Sequence, residues 1–172
     1  MVYAPNSLIL LMIAKVLRII FTYVSLMIAK NYTTQIYMDK VLVKNENPPL
    51  LSNMVYLYLA IEMIMMAVFL ALMFGVMYIF EIRSDAINSY ILPDYFIATI
   101  VNVIIGRIVA SQMYKKKYFL YKDDGLRAIR ALSELLLSLA IVQASVPWNS
   151  LMNGFLADIY KNVSAFSGRT QP

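Results

Sequence analysis

Cysteine and histidine are both missing from the 172 residues. Their absence removes disulfides, thiolate and imidazole metal sites, cysteine nucleophiles and every histidine-dependent triad. Acidic residues are few, and the ten Asp and Glu are scattered along the chain, a poor supply for a carboxylate-only metal site. Glycine is scarce too: five residues, none clustered, leave no loop suited to cradling phosphate. The P-loop, Gly-x-Ser-x-Gly, Gly-x-Gly-x-x-Gly and His-Glu-x-x-His are all absent. No enzyme class has its minimum set of groups. The expectation is a non-enzymatic protein with no cofactor, no metal and no small-molecule substrate.

What the chain has in excess is apolar residues, 61% of the total against about 45–50% in ordinary soluble domains. They are gathered into runs long enough to cross hydrocarbon, which takes about 20 helical residues. The clearest run is 55–80, VYLYLAIEMIMMAVFLALMFGVMYIF, with Glu62 as its one charge. The next is 91–111, where Pro93 suits a helix start and Arg107 lies close enough to the far end to snorkel.

The segment 7–29 is long enough but carries Lys15 and Arg18 near its middle, where charge costs at least about 2.5 kcal/mol. At 100° per residue, Ser7, Lys15, Arg18, Thr22 and Ser25 fall within about 80° of one another. Such a stripe suits a bundle interior in a spanning helix, or water in a helix lying on the interface. Spanning is favoured because the opposite face is apolar over the full length. No basic stretch precedes this run, so it is expected to stay rather than be cleaved as a signal peptide.

A fourth stretch, 126–146, follows Asp123 and Asp124, either of which suits a helix cap, and ends at Pro147. Its apolar part from Ala131 to Val146 is only about 24 Å long as a helix, marginal for a crossing. Arg127, Arg130, Glu134, Ser138 and Ser145 share one face. Beyond the proline, residues 148–160 place Trp148, Leu151, Met152, Phe155, Leu156 and Ile159 at i, i+3, i+4, i+7, i+8 and i+11. This amphipathic tail is suited to a membrane surface or a protein partner.

Lys30 to Asn53, with its Asn47-Pro48-Pro49 breaker, is expected to be a loop with little regular structure. It holds Lys30, Lys40 and Lys44, and the stretch after the third run holds Lys115, Lys116, Lys117, Lys122, Arg127 and Arg130. The connection 81–94 has one base, Arg83. The positive-inside rule therefore places both basic segments in the cytosol and, if the first segment spans, the N-terminus outside. The net charge of +5 is a property of these membrane-flanking segments, and nucleic-acid binding is not expected.

Within the spans, Glu62 stands out, because an intramembrane carboxylate needs a partner. Lys15 and Arg18 are the nearest by depth. An ion pair locking two helices together is favoured over a proton or ion relay, since no second carboxylate lies well inside an apolar run; a position near the end of its segment would also let Glu62 reach headgroups unaided. Ala67, Ala71 and Gly75, at small-xxx-small spacing opposite Glu62, and Asn102 with Gly106 on the third run, are expected helix-packing positions. Met63, Met65, Met66, Met73 and Met77 are read as flexible packing rather than soft-metal ligands. Lys115, Lys116, Lys117 and Lys122, interleaved with tyrosines, form a basic juxtamembrane segment suited to anionic headgroups or a partner.

Residues 113–131 read MYKKKYFLYKDDGLRAIRA directly after an apolar run. This stretch resembles small membrane-embedded minor capsid and virion membrane proteins of large icosahedral double-stranded DNA viruses. The resemblance implies a protein of the internal membrane beneath a capsid, tying bilayer to shell, with other membrane or capsid proteins as partners; it carries no site residue.

The resulting expectation is one all-α membrane domain, a multi-pass transmembrane helical bundle with a C-terminal amphipathic helix. Its expected role is structural, in a large assembly. A small transporter or channel subunit lined by Lys15, Arg18, Glu62 and Asn102, or an accessory subunit of a membrane complex, are the alternatives.

Overall fold

A computed structural model describes residues 5–44, 51–81, 91–115 and 122–167. Among them there is no strand. Five helices follow one another: α1 (Pro5–Tyr37), α2 (Leu51–Phe80), α3 (Leu92–Lys115), α4 (Lys122–Ala144) and α5 (Trp148–Ser167). Three stretches are long and apolar enough to cross a membrane, Ile9–Val43, Leu51–Phe80 and Leu92–Met113. The protein is an all-α membrane bundle. The fourth stretch is not among the three.

The helices reach further than hydropathy suggests. The loop expected over 30–53 is helical through Tyr37 and continues as a π-helical turn, Met38–Val43. Tertiary packing explains the correction, because Tyr37 is buried in one core with Ala128 and Ile129 of α4, and Val41 packs against that core. α2 likewise starts at Leu51, itself buried there, ahead of the apolar run. α4 begins at Lys122, so Asp123 and Asp124 lie in its first turn, where negative charge complements the helix dipole, rather than capping from outside.

Prolines and local bonds set the other ends. Pro93 lies in the first turn of α3, where a missing N–H costs nothing. α4 tightens as it ends, with the Ser145 and Val146 amides donating to the carbonyls of Val142 and Gln143. The Pro147 carbonyl then accepts from the Leu151 amide and opens α5. α2 ends at Phe80 with Glu81 at φ 51°, the left-handed position that a glycine takes most readily.

From α1 to α4, successive helices run antiparallel. Thr22 of α1 meets Glu62 of α2, and Tyr58 of α2 meets Asn102 of α3. α4 returns against α1 and α3: Gly125 lies against Tyr37, and Leu136 against Gly106. The buried apolar residues form two groups. The first draws on all four helices and includes Leu26, Tyr37, Met54, Val55, Ile129 and Leu136. The second draws on α1, α2 and the start of α3, with Leu10, Ala14, Met66, Phe69, Met73 and Tyr95. α4 takes no part in the second, because it ends at the level where the two groups meet.

Candidate functional site

Between the two apolar groups lies a layer of buried polar side chains. Its centre is Glu62, 0% exposed on the inward face of α2. Glu62 Oε1 accepts two hydrogen bonds, from Thr22 Oγ1 of α1 at 2.7 Å and from the Tyr95 hydroxyl of α3 at 2.9 Å. A second set lies one helical turn along α2: the Tyr58 hydroxyl accepts from Asn102 Nδ2 at 3.4 Å, and Asn102 Oδ1 accepts from Gln143 Nε2 of α4. The two sets adjoin on α2, where Tyr58 and Glu62 are four residues apart on one face. Tyr95, Glu62, Thr22, Tyr58, Asn102 and Gln143 thus form one run touching all four bundle helices.

The sequence places these groups where helical spacing brings them inward. Tyr58 and Glu62 are four residues apart, as are Arg18 and Thr22, so each pair shares a face. Ser25 and Thr99, near this layer, and Thr33, three turns beyond Thr22 on α1, are buried and donate to carbonyls of their own helices, those of Phe21, Tyr95 and Ala29. They satisfy themselves and leave the inter-helix bonds to the longer side chains. Within this layer Glu62 Oε2 and Gln143 Oε1 have no hydrogen-bond partner, and elsewhere among the described residues neither does the buried Trp148 Nε1.

The expected ion pair of Glu62 with Lys15 or Arg18 is not what holds the carboxylate. Two hydroxyls do, and the described ion pairs are Lys44 with Asp39 and Arg130 with Glu134. The reason is register: Thr22, one turn beyond Arg18, is level with Glu62. Nor does Glu62 reach headgroups, since it is fully enclosed. Arg18 is only 7% exposed and has Tyr95, Asp94, Tyr58 and Glu62 as electrostatic neighbours. With Lys15, Asp94 and Tyr95 it lines a cavity of about 20 Å³, room for about one water molecule.

The packing positions divide. Asn102 and Gly106 face the bundle interior, and a Cβ on Gly106 would lie 3.0 Å from Leu136 and 3.3 Å from Val55. Ala67, Ala71 and Gly75 instead face outward, with open space beside Gly75. Among the described residues they pack against no other helix, because Glu62 on the opposite face has turned the stripe away. Met66, Met73 and Met77 are buried in the second apolar group, whereas Met63 is exposed. In the tail, Trp148 is half-buried and Leu151, Met152, Phe155, Leu156 and Ile159 are exposed. Lys116 and Lys117 lie outside the described residues, and Lys115 and Lys122 are the last residue of α3 and the first of α4.

Tyr58, Tyr95 and Gln143 escaped sequence reasoning. The available signal was a lone amide, Gln143, inside a stretch counted as apolar; Tyr58 and Tyr95 are the fourth and fifth residues of their runs, where tyrosine is common at a membrane interface. No protein-family model, curated protein or solved structure matches the chain.

Proposed function

We propose that this chain is a non-enzymatic structural or assembly protein of a membrane, a minor capsid or virion membrane component that links an internal bilayer to a protein shell. The observation that carries the assembly role is α5. Its principal contact is with α3, and five large apolar side chains lie exposed along it. Each such side chain forgoes about 1.5–3 kcal/mol when left in water. A helix built this way is covered in place, and we assign the cover to a neighbouring protein of the assembly. The outward stripe of Ala67, Ala71 and Gly75 is a second surface of the right kind, since small residues let another helix approach closely. The virion setting draws its support from the resemblance of residues 113–131.

The cavity beside Tyr95 favours a second reading, a subunit of a transporter or channel working through Glu62. The chemistry of the run weighs against it. A hydroxyl or carboxyl can accept a proton and pass another on, but an amide does so only by tautomerising, and the run ends in two amides, Asn102 and Gln143. A locked layer joining four helices fits those groups better than a conducting path.

Mild-detergent extraction of the native membrane or particle, followed by sizing and mass spectrometry of what travels with the chain, separates the readings. A large assembly containing capsid-like structural proteins is expected. A chain that runs alone or as a small homo-oligomer would overturn the assembly role. Ion flux in liposomes that disappears in Glu62→Gln would establish the transport reading instead.

A further inference from the structure

The exposed surface of the bundle changes character at one level on three helices. On α1 every exposed residue as far as Ile28 is apolar, whereas from Asn31 polar residues enter the exposed face, with Gln35, Asp39 and Lys40 standing among Tyr32, Met38 and Val43. On α2 Asn53 is exposed and polar, and Tyr56, Met63 and Ile64 begin the apolar face. On α3 Phe96, Ile100, Ile104 and Ile108 form an exposed apolar stripe, followed by exposed Ser111 and Gln112. Measured from the bonds Thr22–Glu62 and Tyr58–Asn102, the three transitions agree to within about one helical turn, or about 5 Å. Independent helices that change from apolar to polar at a common height mark the edge of the hydrocarbon.

Two basic side chains sit at that edge. Lys30 lies between Ile28 and Asn31 on α1, and Arg107 of α3 is level with Asn53 and Tyr56 of α2. The Arg107 guanidinium stacks over the Tyr56 ring at 4.9 Å from its centroid. Both residues of that pair are exposed, so the ring holds the cation at the surface rather than withdrawing it. Among the described residues the acidic group nearest this level, Glu134 on α4, is engaged by Arg130. The edge therefore carries net positive charge where lipid phosphates lie.

We propose that Lys30 and Arg107, the latter fixed by Tyr56, bind the phosphate of anionic phospholipid headgroups at this edge of the bundle. Arginine suits the task because its planar fork offers two parallel N–H donors to phosphate oxygens. Stacking on Tyr56 presents that fork with less side-chain freedom left to lose. The site is separate from the basic stretch around Lys115–Lys117, which lies further along the chain.

The test uses the full chain in bilayers of phosphatidylcholine alone or with phosphatidylglycerol in equal parts. Native mass spectrometry then counts the lipids that stay bound after extraction. Wild type is expected to retain phosphatidylglycerol preferentially, with retention falling about fivefold for each charge removed in Lys30→Gln and Arg107→Gln. Tyr56→Leu is expected to reduce it by a smaller factor. Equal retention of the two lipids by wild type, or unchanged retention in the double variant, overturns the site. So does displacement of the lipid by inorganic phosphate, which would show a free-anion site. Should Arg107→Gln fail to assemble, as judged by helix content and size, Lys30→Gln alone decides.

Discussion

The two apolar groups of this bundle are equally well buried but are held together by different forces. The second group, around Phe69 and Met73, is built from three helices and lies on the hydrocarbon side of the proposed edge. There the alternative to a neighbouring helix is lipid, as apolar as leucine, so close packing and not escape from water must hold the helices. Its aromatic contacts fit that need: Phe69 meets Tyr95 with centroids 5.0 Å apart and Phe21 edge-on at 6.2 Å. The first group extends past the level of Lys30 to Tyr37, Leu51, Ala128 and Ile129. Those residues lie beyond the proposed hydrocarbon edge, where burial also removes apolar surface from water. A fourth helix is added where the hydrophobic effect returns.

The largest expected effect tests that contrast directly. Ile129→Ala should destabilise the bundle by about 2–5 kcal/mol, the usual loss for a buried isoleucine. Met73→Ala, no less buried, should cost less by the missing transfer contribution, on the order of 1–2 kcal/mol. Reversible unfolding of both variants in the same bicelles measures the difference, and equal losses would place both groups in one environment.

Next in size is the close approach that docks α4. A Cβ on Gly125 would collide with the Tyr37 phenol, so Gly125→Ala should cost about 1–3 kcal/mol. Adding Tyr37→Ala should cost less in the Gly125→Ala background than in wild type, because the clash is then gone. Additive losses in a double-mutant cycle would show that the two residues do not press on each other.

The polar layer between the groups comes third. Glu62→Leu leaves the Thr22 and Tyr95 hydroxyls without their acceptor and should cost about 1–3 kcal/mol. Glu62→Gln keeps a carbonyl oxygen for the same donors and should cost distinctly less. Gln143→Leu breaks one inter-helix bond, for which about 0.6 kcal/mol and at most about 1.7 is expected. Unfolding of the three variants in one detergent gives the order, and a Gln143 effect larger than that of Glu62→Leu would move the centre of the layer to α4.

The smallest effect on stability should come from Gly75→Leu. The position faces open space, so a change within about 0.5 kcal/mol is expected for the isolated chain. Incorporation into the native assembly should nevertheless fail. Normal incorporation would remove α2's outward stripe from the contact surfaces.

Much of the helix plan was legible beforehand because a membrane helix announces itself by composition over a window. The runs 7–29, 55–80 and 91–111 each fall largely within a described helix, and the tail begins at Trp148 as its apolar spacing implies. The extension of α1 to Tyr37 was not legible, since KNYTTQIY is polar and earns its helical state only from α4 packing on it. Within the site, Glu62 was singled out as the one charge of an apolar run, Asn102 as a packing position, and the stripe containing Thr22 by helical spacing. Helical spacing did not single out Tyr95 or Gln143, whose roles depend on neighbours 33 and 41 residues away in the chain.

By itself the sequence determined that this chain is helical, that three of its segments can cross a bilayer, and that Glu62 requires company inside. Those are local properties: length, apolarity and the cost of a charge in hydrocarbon. The tertiary structure alone decided which company Glu62 keeps. Sliding one helix by a single turn past its neighbour would present Arg18 to that carboxylate in place of Thr22, with little change in either helix's own pattern. Register between helices is set by how side chains on all four interlock, as at Gly106 with Leu136 and Val55, and no single segment contains that information.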